Sequence, residues 1–133
     1  MIKYCYIIIL SLFVASCKKD NAGTPPSNDL KGTWRQTSYG GGFDGKTYQV
    51  PADSVLTITF NGSSGYESKR NGKLTHSGTY EVGKAKSIYS GEMEDAIQLD
   101  GNGLWSIIKI DGNALHLSIN AYDAGGSTYT RVN

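Results

Sequence analysis

The sequence predicts an all-β domain, a single small antiparallel up-and-down β-barrel of eight or nine strands over residues 30–133. Turn signals recur at Asn61-Gly62, Asn71-Gly72, Asp100-Gly101-Asn102-Gly103, Asp111-Gly112 and Gly125-Gly126, the kind of pairs that tight hairpins require. Between them the pattern has period two. Leu56, Ile58 and Phe60 alternate with Thr57 and Thr59, and Leu115, Leu117 and Ile119 alternate with His116 and Ser118. No long run with a period of about 3.6 competes with this pattern.

In chain order the predicted strands cover 32–39, 54–60, 65–70, 73–82, 87–91, 95–99, 104–110, 114–120 and 127–132. So many short strands joined mainly by hairpins favour a barrel over a sandwich, and closure removes the edges through which sheets aggregate. One connection breaks the pattern. Residues 40–53 (GGGFDGKTYQVPAD) put fourteen residues between the first two strands, a length that marks function or disorder in a compact domain. Its three consecutive glycines allow movement, while Phe43, Tyr48 and Val50 give it something to pack.

The segment ahead of the barrel reads as an address. Lys3 supplies a positive start, and Tyr4 to Ala15 form a nearly unbroken apolar stretch, long enough for a signal peptide and too short to span a bilayer. Val14-Ala15-Ser16-Cys17 resembles the lipobox of bacterial lipoproteins. That resemblance implies a signal peptide over 1–16, cut before Cys17, with the Cys17 thiol acylated. Two or three acyl chains hold a protein on a membrane, each buried methylene contributing about 0.8 kcal/mol. After Cys17, residues 18–29 (KKDNAGTPPSND) lack any large apolar side chain and include Pro25-Pro26, so 17–29 reads as a flexible tether. Its twelve residues reach about 40 Å at roughly 3.3 Å each. The expected location is the cell envelope, on the outer membrane, with the domain either in the periplasm or at the cell surface.

Cysteine and charge counts exclude several classes. With Cys5 in the leader and Cys17 acylated, the mature domain has no thiol, hence no disulfide and no thiolate metal site. Without Lys3, 12 basic residues face 12 acidic ones, and no basic stripe addresses nucleic acid. No cofactor is expected, and the domain reads as a monomer.

Gly32-Thr33-Trp34 at the first strand resembles the G-x-W of lipocalins and fatty-acid-binding proteins, and Tyr129-Thr130-Arg131 in the last strand resembles the terminal Y-x-R of the same calycin group. The stretch from Leu30 to Asn133 looks closest to short lipocalin-like lipoproteins of Gram-negative bacteria. The resemblance implies that Trp34 plugs one end of the barrel and that Arg131 lies across it. It also implies that the long first loop partly covers the open mouth. The sequence departs from a full lipocalin in lacking a helix after the last strand and cysteines that pin the termini.

The polar residues assemble no recognisable catalytic pattern. His116 alternates with Leu115 and Leu117 and should face solvent, while His76 shares the parity of Leu74, Tyr80 and Val82 and should face inward. His76 is then either a satisfied core histidine or a hydrogen-bonding group of a cavity. Asp100-Gly101-Asn102-Gly103 lacks the later ligands of a calcium loop, and Glu92, Glu94 and Asp95 read as a solvated connection. No G-x-S-x-G elbow is present, and an enzyme is not expected.

With Trp34 inward, strand alternation sends Gln36 and Ser38 inward above it, and the second strand adds Leu56, Ile58 and Phe60. Such a lining suits either a small-molecule cavity or a barrel filled by its own side chains. The Asn71-Gly72 hairpin has two registers. A two-residue turn turns Glu67 and Lys69 inward, whereas a three-residue loop with a glycine bulge turns Tyr66 and Ser68 inward. Burying two charges costs more than adjusting a turn, which favours the bulge and leaves Arg70 near a rim. The functional expectation is a lipid-anchored protein binding a small hydrophobic or amphiphilic molecule. Gln36, Ser38, Tyr66, His76 and Tyr80 would offer polar contacts, Arg70 would meet a carboxylate or phosphate head, and Phe43 and Tyr48 would close a lid. The alternative is a protein-binding envelope accessory factor or inhibitor with a filled barrel.

Overall fold

A computed structural model describes residues 29–133; the expected signal peptide, Cys17 and the expected tether up to residue 28 lie outside them. Nine strands follow in chain order: β1 (Gly32–Gly41), β2 (Thr47–Gln49), β3 (Leu56–Phe60), β4 (Gly65–Arg70), β5 (Lys73–Lys86), β6 (Met93–Leu99), β7 (Trp105–Asp111), β8 (Ala114–Ile119) and β9 (Gly125–Val132). Neighbours pair antiparallel, and β9 returns to pair with β1, so eight strands close an up-and-down barrel. The ninth, β2, pairs with β1 from Ser38 to Gly40, above the stretch of β1 that pairs with β3. The start of β1, the β3–β4 and β7–β8 turns and the end of β9 thus share one end of the barrel. The β4–β5, β6–β7 and β8–β9 connections and the end of β1 form the other.

Two predicted boundaries are corrected. No strand occupies 87–91; β5 instead runs on to Lys86, and the chain turns over 87–92. The β-prone pair Ile88-Tyr89 is captured by side-chain bonds, some local and some from just past the end of β8. The Ser87 Oγ accepts from the backbone N–H groups of Tyr89 and Ser90, and Asn120 grips Ile88 N–H and the Lys86 carbonyl. Within 40–53, the chain forms a 3₁₀ turn (Gly42–Asp44) and β2 rather than a structureless loop.

The β4–β5 hairpin resolves its two registers in a third way. Asn71 and Gly72 both have positive φ, and Arg70 pairs directly with Lys73, as a two-residue turn requires. The extra residue is Thr75, a bulge lower down that lets Ser68 pair with His76 and Tyr66 with Gly78. Tyr66 therefore enters the core and Ser68 shares its face, while Leu74 pairs with Lys69 and is 51% exposed, not inward.

The interior is filled at one end. Trp34, Ile58, Phe60, Tyr66, Tyr80, Ile97, Ile108 and Leu115 form one buried cluster, with Phe60 and Tyr80 edge to face at 5.0 Å. Burying each such aliphatic or aromatic side chain contributes roughly 1.5–3 kcal/mol. Ring closure and this cluster lie wholly within residues 29–133, so the segment contains what it needs to fold by itself. One cooperative unfolding transition in urea is the expected behaviour of that segment, with fluorescence and circular dichroism giving the same midpoint.

Candidate ligand cavity at the mouth of the barrel

The closed end is built around Trp34, which is 0% exposed and donates its indole N–H to the Leu30 carbonyl at 2.8 Å. The Arg131 guanidinium lies 4.1 Å from the Trp34 ring centroid, on the partner that pairing across β1 and β9 gives it. Its two arms donate to the carbonyls of Lys31 (2.8 Å) and Asp29. A Cβ on Gly32 would sit 3.0 Å from this guanidinium, which explains a glycine two residues ahead of the tryptophan.

At the opposite end the filling stops and a cavity of about 580 Å³ opens. Leu99, Leu104, Leu117 and Ile119 form its apolar wall. Tyr39, Tyr48 and Tyr129 add aromatic side chains; Ser106, Ser127 and Asn102 add polar groups. The remaining wall is backbone from Gly40, Gly41, Gly125 and Gly126, where β1 and β9 meet. Tyr39 and Tyr48 stack with centroids 5.7 Å apart and planes at 25°. The Tyr48 hydroxyl donates to Asp44 Oδ2 at 2.5 Å, which together with the Lys46 N–H holds the Asp44 carboxyl below its usual range. Below the cavity, the Gln36 amide donates to Ser127 Oγ at 2.9 Å. Burial pushes the Tyr129 phenol up.

Of the candidates read from sequence, Tyr48 lines this cavity and Gln36 braces it. Ser38 does not, because β1 carries a bulge. Gln36 pairs with Tyr129 but Ser38 pairs with Thr128, so Thr37 is the extra residue and the parity flips. Ser38 then joins His116 and Thr128 on the outer face, where His116 Nδ1 lies 3.2 Å from Thr128 Oγ1, and Tyr39 takes the inward place. Phe43 is 98% exposed and does not fold over the mouth. Arg70 is exposed at the tip of the β4–β5 hairpin and is not part of the wall. Tyr80 is buried in the filled half; its hydroxyl has no hydrogen-bond partner among the described residues, and burial raises its pKa.

Tyr66 and His76 belong to a separate polar cluster around Asp100. Asp100 Oδ2 accepts from the Tyr66 hydroxyl at 2.7 Å and lies 2.9 Å from His76 Nε2, while Oδ1 accepts from Thr79 N–H at 3.1 Å. A Cβ on Gly78 would stand 1.8 Å from Oδ1, so the carboxylate occupies the space a side chain would take. This clip fastens the β6–β7 connection to the β4–β5 hairpin. His76, predicted to be an inner-face group, has its side chain 54% exposed at this rim. The Tyr66 hydroxyl, then His76, holds the Asp100 carboxyl below its usual range, and burial followed by Asp100 pushes the Tyr66 phenol well up. A carboxyl depressed on folding stabilises above its unfolded pKa of about 3.9, and that stability is lost as pH falls through the folded value. Asp100→Asn should therefore lower Tm at neutral pH and flatten its decline on acidification below about pH 4, in melts recorded across the acid range.

No cluster of three or more metal-ligating side chains occurs among the described residues, and no described helix is long and apolar enough to cross a membrane. Compared with family models, curated proteins and solved structures, the chain matches none.

Proposed function

We propose that the chain is a lipid-anchored, lipocalin-like binding protein of the cell envelope that carries a small hydrophobic or amphiphilic molecule in the mouth of its barrel. One observation carries this reading. The barrel is packed solid around Trp34 at one end yet leaves about 580 Å³ at the other, within the range of small-molecule sites and lined mainly by apolar and aromatic groups with a few polar ones. The Trp34–Arg131 plug and the Val14-Ala15-Ser16-Cys17 sequence support the family resemblance and the anchor respectively. The protein acts as a carrier or sensor and performs no chemistry. Titration of the barrel segment with fluorescent lipid-like probes should give saturable binding at one site; flat titrations across a broad panel contradict the reading. For the anchor, Cys17→Ser should abolish acyl labelling and release the chain from the membrane fraction, and retention with labelling contradicts it.

A second reading, docking to another envelope protein, has its own support. Phe43 is 98% exposed and Tyr122 83%, on adjoining connections joined by a Gly42 N–H to Ala124 carbonyl bond of 3.1 Å. Exposed aromatics clustered on loops mark interaction surfaces. On this reading Phe43→Ser with Tyr122→Ser keeps Tm and loses a defined complex that the unmutated chain forms in the envelope; on the carrier reading the pair leaves probe binding unchanged.

A further inference from the structure

Resting on the cavity reading above, we infer that the molecule held at the mouth is uncharged, a flat apolar body bearing hydroxyl or carbonyl groups, not a carboxylate- or phosphate-headed lipid. The wall contains no lysine, arginine, histidine, aspartate or glutamate. The ionised group attached to it is an anion, Asp44, which receives the Tyr48 hydroxyl hydrogen. An anionic head entering there would shed water, meet no cation in the wall and face that carboxylate behind Tyr48. A charge in such surroundings takes up a proton or stays outside. Arg70, the cation expected from sequence to receive an acidic head, lies outside the wall, as does His76.

The polar groups that do face the cavity suit a neutral guest. Ser106 contributes its hydroxyl to the wall. Ser127 Oγ accepts from Gln36, and the Tyr129 hydroxyl beside it also belongs to the wall. Hydroxyls of this kind serve as donor or acceptor and match an alcohol or a ketone equally. Flatness follows from two surfaces. Tyr39 and Tyr48, stacked on each other, form a rigid aromatic side of the cavity, and the seam of Gly40, Gly41, Gly125 and Gly126 presents backbone with no side chain to hold a ring away.

The test titrates residues 29–133 with 1-pyrenebutanol and 1-pyrenebutyrate, matched probes that differ in head charge. The alcohol should bind at least tenfold tighter than the carboxylate at pH 7.5. Between pH 7.5 and 5.5 the carboxylate's affinity should climb about tenfold per pH unit, as its protonated fraction does, while the alcohol's stays constant. Ser106→Phe, which projects a ring into the cavity, should abolish alcohol binding; if its circular dichroism shows a folding defect, Leu104→Trp at the half-exposed rim serves in its place. Carboxylate binding as tight as the alcohol's at pH 7.5 overturns the uncharged guest and leaves the cavity reading standing. Binding by neither probe, or alcohol binding undiminished in a folded cavity-filled variant, overturns the cavity reading and this inference with it.

Discussion

Trp34→Ala is expected to cost about 3–5 kcal/mol of stability, as truncation of large buried aromatics does, which is a large share of the roughly 5–15 kcal/mol that holds a domain of this size. The indole is fully buried, its N–H is paired with Leu30, and a guanidinium stacks on its face, so nothing nearby can move in to fill the space. Arg131→Lys tests the same plug from the other side. Lysine keeps the charge but loses the planar stack and the fork that reaches the Lys31 and Asp29 carbonyls together. A loss of about 1–2 kcal/mol is expected there, of which cation–π contact accounts for roughly 0.5–2. Urea titration followed through Trp105 measures both variants; a Trp34→Ala cost under about 1 kcal/mol contradicts the plug.

The second large effect is expected at Gly40. A Cβ there would lie 2.2 Å from the Lys46 carbonyl oxygen and 2.7 Å from the Thr47 Cα, both backbone, so Gly40→Ala must push β2 away from β1. Overpacking of this kind costs about 1–3 kcal/mol. The functional loss should exceed the structural one. Displacing β2 separates Tyr48 from Tyr39 and removes one wall of the cavity, so probe affinity should fall at least tenfold in a protein that still folds. Unchanged affinity in the folded variant shows that β2 contributes no wall. The glycines of residues 40–42, read from sequence as hinges, thus include one required by close backbone approach.

Most of the fold is legible in the sequence because hairpins write it locally. Asn71-Gly72 and the alternation of Leu115, Leu117 and Ile119 each specify a turn or a face within a few residues. The cavity wall is less legible, for reasons particular residues make plain. Leu117 and Ile119 are recognisable as inward, yet whether an inward residue packs or lines a void depends on which end of the barrel it occupies. Tyr39 and Ser38 exchanged faces because a bulge at Thr37 shifts parity without a signal in composition. Thr75 does the same in β5. The Asp100 clip joins Tyr66 to a turn 34 residues away, a contact that only the stagger of the strands creates.

The most direct measurement of the central claim is native mass spectrometry of residues 29–133 after exposure to an extract of envelope lipids, beside the cavity-filled Ser106→Phe variant. A cavity of about 580 Å³ suits a single drug-sized molecule. The account predicts one discrete bound mass on the unmutated barrel and none on the variant. Bare protein in both spectra, or the same adduct on both, would contradict it.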